Sequence, residues 1–170
     1  GSYDQDNYRI SYGGSGGNLK YSLGFEQYDA ENNYRVPEWA ANRDSDGRLF
    51  NGDTATSNYF GSLSLDLNSR NTLSLDAYKI SSRRGLLYFG FPLQRDRLDH
   101  DVFNIGLSWK TLLGNGKDSV LRATVAYNQD YFNTYGPTQN IFYRTGTLNS
   151  QAVTARIEHD WKINTTNNLR

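Results

Sequence analysis

YFGSLSLDLNSRNTLSLDAYKIS, residues Tyr59 to Ser81, decides the fold class. Leu63, Leu65 and Leu67 alternate with Ser62, Ser64 and Asp66. After the polar turn Asn68-Ser69-Arg70-Asn71, Leu73, Leu75 and Ala77 alternate with Ser74, Asp76 and Tyr78. Successive side chains of a strand point to opposite faces, so period-two alternation on both sides of an Asn/Ser turn specifies a β-hairpin. One face carries only Leu and Ala, and the other carries Ser, Asp and Tyr. The core of a water-soluble sheet mixes sizes and β-branched shapes so that two surfaces interdigitate. A uniform, charge-free Leu face opposite a polar one suits hydrocarbon outside and a wet lumen inside.

The same rhythm runs through the chain. Tyr8, Ile10 and Tyr12 lead through a Gly-rich turn, Gly13 to Asn18, into Leu19, Tyr21, Leu23 and Phe25. A third hairpin sets Phe103, Ile105, Leu107 and Trp109 against Leu121, Ala123, Val125 and Tyr127. Val153, Ala155, Ile157 and Trp161 form a seventh strand, and the tail INTTNNLR reads as a turn and the start of an eighth. Long polar loops separate the hairpins, roughly Gln27–Asn58, Ser82–Asp101 and Gln129–Ser150. Strict alternation of short and long connections is the habit of outer-membrane barrels; a soluble sandwich has no reason to keep every long loop at one end. Aromatic rings fall near both strand ends, Tyr12, Tyr21, Trp109 and Trp161 by the short turns and Tyr8, Phe25, Phe103 and Tyr127 towards the long loops. Two interfacial girdles have this layout.

Composition agrees. The 170 residues include thirteen Tyr, eight Phe and three Trp, at a mean hydropathy of -0.75. There is no Cys, which removes disulfides and thiolate metal sites, and the formal charge is zero, which argues against a nucleic-acid binder. No run of apolar residues is long enough for a transmembrane helix, but barrel strands need apolar residues only at every second position. Arg9, Asp66, Asp76, Arg122, Arg156 and Glu158 all fall in the polar phase of their strands. Lys79 and His159 fall in the apolar phase, and the reading places them near strand ends. The expected fold is therefore an all-β, antiparallel, up-and-down transmembrane β-barrel, of which this chain supplies about seven to eight strands. An odd or broken strand count leaves edges that lipid cannot satisfy, so the chain is expected to be an excerpt of a larger barrel, without a signal peptide.

GSYDQDNYRISYGGSGGNLKYSLGFEQYDAENNYR, residues 1 to 35, resembles the segment that directly follows the plug domain in TonB-dependent outer-membrane receptors. The matching features are Gly1-Ser2-Tyr3, Ser11-Tyr12, Gly13-Gly14 and Tyr21-Ser22-Leu23. The hairpin rhythm extends the likeness over residues 1–170, in architecture more than in motif. It implies a barrel of about 22 strands, closed by a plug, that imports a ferric siderophore, cobalamin or another scarce ligand with energy from TonB. The chain has neither plug nor TonB box, so both would lie outside it. The other implied partners are outer-membrane lipid and lipopolysaccharide, and the implied location is the bacterial outer membrane. A passive porin-like channel is the alternative.

Two sets of residues stand out as candidate sites. Asn42 to Asp53 can be numbered as a twelve-residue calcium loop, with Asn42, Asp44 and Asp46 at positions 1, 3 and 5 and Gly47 at the tight turn. Arg48 then takes position 7 and Asp53 position 12. Calcium needs six to eight oxygens, which this spacing can point at one ion. Asn and Asp replace the usual Asp and Glu at the two ends, and the competing reading is an Asx-rich turn. The vitamin B12 receptors of the resembled family bind calcium through acidic residues in this loop, and Asp44-Ser45-Asp46-Gly47 resembles their motif. The second set is aromatic and basic: Trp39, Arg83, Arg84, Tyr88, Phe89, Tyr131, Tyr135, Tyr143 and Arg144. Rings stack on planar ligands and Arg pairs with carboxylate or phosphate, although packing between loops would use the same residues. Asp99-His100-Asp101 could polarise a histidine, as in barrel hydrolases, but lacks a visible second catalytic pair, so no enzyme is expected.

Overall fold

A computed structural model describes residues 4–31, 34–40, 43–86, 96–114, 119–135, 146–162 and 168–169. Strands β1 (Gln5–Gly16), β2 (Leu19–Ala30), β3 (Thr54–Asp66), β4 (Asn71–Gly85), β5 (Arg97–Leu113), β6 (Ser119–Tyr135), β7 (Gly146–Lys162) and the two-residue β8 (Asn168–Leu169) follow in chain order. They form one sheet in which each strand pairs antiparallel with the next. Among the described residues there is no helix, and no pairing joins β1 to β7 or β8. The sheet is all-β, antiparallel, up-and-down and open.

Two turns are held by their own chemistry. Asn68 Oδ1 accepts the Arg70 and Asn71 backbone N–H groups, both at 2.9 Å, so the β3–β4 connection is an Asx turn. The β1–β2 connection is shorter than the Gly-rich run suggests. Gly13 to Gly16 continue the strand, and only Gly17 and Asn18 turn, with Gly17 at φ 59°. The Tyr21 ring occupies the space above Gly14, where a Cβ would come within 2.9 Å of its hydroxyl. A ring laid across a strand glycine replaces the missing side-chain packing.

The strands also outrun their apolar stretches. The loops shrink to the intervals between Ala30 and Thr54, Gly85 and Arg97, and Tyr135 and Gly146. Polar residues keep pairing beyond the last apolar one, because the ladder needs backbone partners rather than hydrophobicity. One consequence concerns Lys79. It stands in the middle of β4, not near its end.

The registers run without interruption, so alternate residues share a face across the sheet. Four cross-strand rows define one face: Ile10–Phe25–Tyr59–Lys79–Phe103–Gln129–Gln151, Tyr12–Leu23–Gly61–Ala77–Ile105–Tyr127–Val153, Gly14–Tyr21–Leu63–Leu75–Leu107–Val125–Ala155 and Gly16–Leu19–Leu65–Leu73–Trp109–Ala123–Ile157. Lys79 is the one charged residue in them. The opposite face is tied together by side chains: Ser22 with Ser62 at 2.7 Å, Ser74 to Ser64 at 3.3 Å, Ser108 with Thr124 at 3.0 Å, and Asn104 to Asn128. Arg122 meets Asp160 at 2.5 Å, and Arg156 meets Glu158 at 2.7 Å. All six charges assigned to the polar phase lie on this face.

Phe60 also lies on the polar face, with the Arg9 guanidinium 5.9 Å from its ring centroid. Its ring covers Gly24 so closely that a Cβ there would sit 2.0 Å from a ring carbon. Gly24→Leu is therefore expected to expel the ring and cost about 1–3 kcal/mol, the usual range for overpacking. A urea midpoint in micelles equal to that of the parent would show that the ring has another place to go.

Candidate functional site

At the long-loop end, the first loop is fastened to the base of the second. The Asn51 amide donates to the Leu86 carbonyl at 3.1 Å and to the Asp96 carbonyl at 2.9 Å. Arg97 Nη1 donates to Asn51 Oδ1 at 3.0 Å and to Asp53 Oδ1 at 2.6 Å, while Nη2 reaches Asp53 Oδ2 at 2.5 Å. The planar guanidinium matches the two carboxylate oxygens, which makes the pair bidentate. That hydrogen bond is the main reason the Asp53 carboxyl lies below the usual carboxylate range; partial desolvation opposes it. Asn51 takes a left-handed backbone, φ 59°, to present both its amide and its carbonyl. Gly85 fits beneath it, since a Cβ at Gly85 would lie 1.9 Å from the Asn51 carbonyl oxygen. Leu98, next in β5, is almost fully buried at 2% exposure.

Within the first loop, Asp44 behaves as a turn former. Its Oδ1 accepts the Asp46 N–H at 2.9 Å and the Arg48 N–H at 2.7 Å. The carbonyl of Arg48, at position 7 of that numbering, accepts the Asp44 N–H at 2.9 Å. Gly47 does take the tight-turn position, with φ 78°. Asp53 is committed to Arg97, and no three carboxylate or imidazole groups gather among the described residues. Asn42 lies outside the described residues. In this arrangement Asp44 holds an Asx turn and Asp53 pairs with Arg97.

The aromatic and basic candidates divide between surfaces. Arg83, Tyr131 and Tyr135 lie beyond the apolar rows on the same face, whereas Arg84 lies on the polar face. Arg83 pairs with Asp99 at 2.8 Å, and the Tyr135 hydroxyl lies 3.5 Å from the same carboxylate. Trp39 is 85% exposed on the first loop, in a turn closed by the Ala40 N–H to the Pro37 carbonyl at 3.0 Å. Tyr88, Phe89, Tyr143 and Arg144 lie outside the described residues, as do Gly1, Ser2 and Tyr3. The described members therefore do not meet at one point.

His100 has a carboxylate partner, but not a neighbour in the chain. Asp99 and Asp101 alternate onto the other face, and His100 Nε2 lies 2.8 Å from Asp130 Oδ1 on β6. Its ring packs edge-on against Phe132, with centroids 5.4 Å apart. No local sequence signal marks this pair, nor Arg97 with Asp53, because each joins residues that only strand register brings together.

No protein-family profile matches the chain, and no curated protein matches it.

Proposed function

We propose that this chain is part of the wall of an outer-membrane β-barrel, and that the barrel is an active import receptor of the TonB-dependent kind. One observation carries the membrane reading: the apolar face is left uncovered. Val153 and Ile157 are 72% and 78% exposed, and Ala30 and Leu98 are the only buried apolar residues among those described. A water-soluble domain of this size would bury such residues in a core. From Phe103 to Trp109 the apolar rows run roughly 20 Å along β5, and on β7 the apolar phase from Val153 to Trp161, interrupted by His159, runs roughly 27 Å, at about 3.4 Å per residue. On strands tilted by about 40° those lengths cover roughly 15–21 Å of height, most of the apolar band of about 25 Å on a lipid-facing barrel. The opposite face, lined with bonded Ser, Thr and Asn and charges of both signs, would line the lumen.

In hydrocarbon both sheet edges must find partners, so the proposal includes closure by further strands, about 22 in all as in the resembled receptors. The receptor assignment rests on the likeness of residues 1–35, and the ligand class, a ferric siderophore or cobalamin, follows from it. Trp39 and Arg84 are the described loop-end residues positioned to meet such a ligand, one as an exposed ring and one as a polar-face cation. The test is uptake of radiolabelled cyanocobalamin and a radiolabelled ferric hydroxamate by cells carrying the intact protein. A receptor takes up one of them and loses that uptake when a protonophore is added. Uptake of small sugars that ignores the protonophore identifies the passive channel instead.

A further inference from the structure

The apolar face is not smooth. Gly61 and Ala77 are cross-strand partners on β3 and β4, so two of the smallest side chains stand together in the middle of a row. Leu23, Phe25, Tyr59 and Phe103 stand around them, leaving a groove of about 550 Å³. That volume lies within the range of small-molecule sites, roughly 300–1,000 Å³. Lys79 lines the same groove, is exposed, and makes no ion pair among the described residues. Tyr59 is its register partner on β3, half exposed, with its ring 5.0 Å from that of Phe25.

A lone ammonium on a lipid-facing surface needs an explanation. At mid-membrane it costs roughly 2–4 kcal/mol, but near the interface about 0–1. Lys79 belongs to the uppermost of the four rows, with Phe25, Tyr59 and Phe103 beside it, where its stem can run along apolar surface while its head reaches the polar boundary. Directly below is a cleft with an apolar lining, its floor made by Ala77 and by Gly61, over which the Leu23 side chain leans. A cation above an acyl-sized groove complements a molecule with an anionic head and a hydrocarbon tail.

We propose that this groove binds one molecule of an anionic, phosphate-bearing lipid, with an acyl chain over Gly61 and Ala77 and the phosphate on Lys79 and the Tyr59 hydroxyl. The inference rests on the membrane reading above, and its test separates the two. The intact protein in detergent micelles is titrated with phosphatidylglycerol or phosphatidylcholine of identical chains, and bound lipid is counted by native mass spectrometry. One phosphatidylglycerol is expected to bind about fivefold more tightly than phosphatidylcholine, the preference one basic residue gives near an anionic headgroup. Lys79→Gln should bring the two lipids to within about twofold of each other. Ala77→Leu, which fills the floor without adding polarity, should weaken both about equally. Each variant is also inserted into vesicles and checked for protease resistance. Normal insertion with unchanged phosphatidylglycerol preference in Lys79→Gln, or equal binding of both lipids by the parent, overturns the groove alone. Failure of the parent to insert overturns the membrane reading and the groove with it.

Discussion

Leu75→Arg is expected to lower the yield of vesicle-inserted protein by roughly thirty-fold to several hundred-fold, while Ser74→Arg, one residue away, stays within about twofold of the parent. Leu75 stands in the third apolar row, between Leu63 and Leu107, well inside the band. In the proposed barrel wall a cation there would face the middle of the hydrocarbon and cost about 2–4 kcal/mol, which sets the expected factor. Ser74 faces the other way. It gives up a 3.3 Å hydrogen bond to Ser64, but an Arg at that position meets a face that already carries Asp66 and Asp76. Heat-modifiable mobility after refolding into vesicles reads both variants. Equal yields would mean that the two faces have been assigned wrongly, and the membrane reading would fall with them.

The faces were legible in the sequence because a strand's period of two needs no knowledge of its neighbours. Leu63 to Leu67 and Leu73 to Ala77 fix which side is apolar before any pairing is known, and the uninterrupted registers then put all the apolar phases on one surface. The strand ends were harder to see. Ser82 to Gly85 and Arg97 to Asp101 look like loop by composition, yet they pair as strand, since pairing spends backbone groups that every residue has. That is why Lys79 looked terminal and stands mid-strand. The loop chemistry was least legible. Asp44 and Asp53 are spaced as co-ligands in the chain; in the structure Asp44 caps its own turn and Asp53 pairs with Arg97, forty-four residues away. Only the pairing of β4 with β5 brings Arg97 level with Gly85, and hence beside the end of the first loop.

That contact sets the other large expectation. Arg97→Ala should raise the rate of tryptic cleavage after Arg43 and Arg48 about five- to thirtyfold, with the sheet still folded. The substitution removes three charge-assisted hydrogen bonds, two of them to a carboxylate, from a guanidinium whose side chain is 27% exposed. Bonds to charged groups contribute about 1.5–3 kcal/mol, and the 44% exposure of Asp53 discounts this to roughly 1–2 kcal/mol. Arg83→Ala breaks the more exposed pair with Asp99 and should change the same cleavage less than about twofold. Acid should act as Arg97→Ala does. Because Asp53 is held below its ordinary value of 3.8, its pairing stabilises the closed loop at any pH above 3.8 and is lost as the pH falls through the depressed value. Loop protection should therefore be level from neutral pH to about 5, then fall below about 4, where pepsin replaces trypsin as the probe. Asp53→Asn and Arg97→Ala should both remove that acid limb. If Arg97→Ala cleaves no faster than the parent, the Asn51 amide bonds to Leu86 and Asp96 hold the loop by themselves.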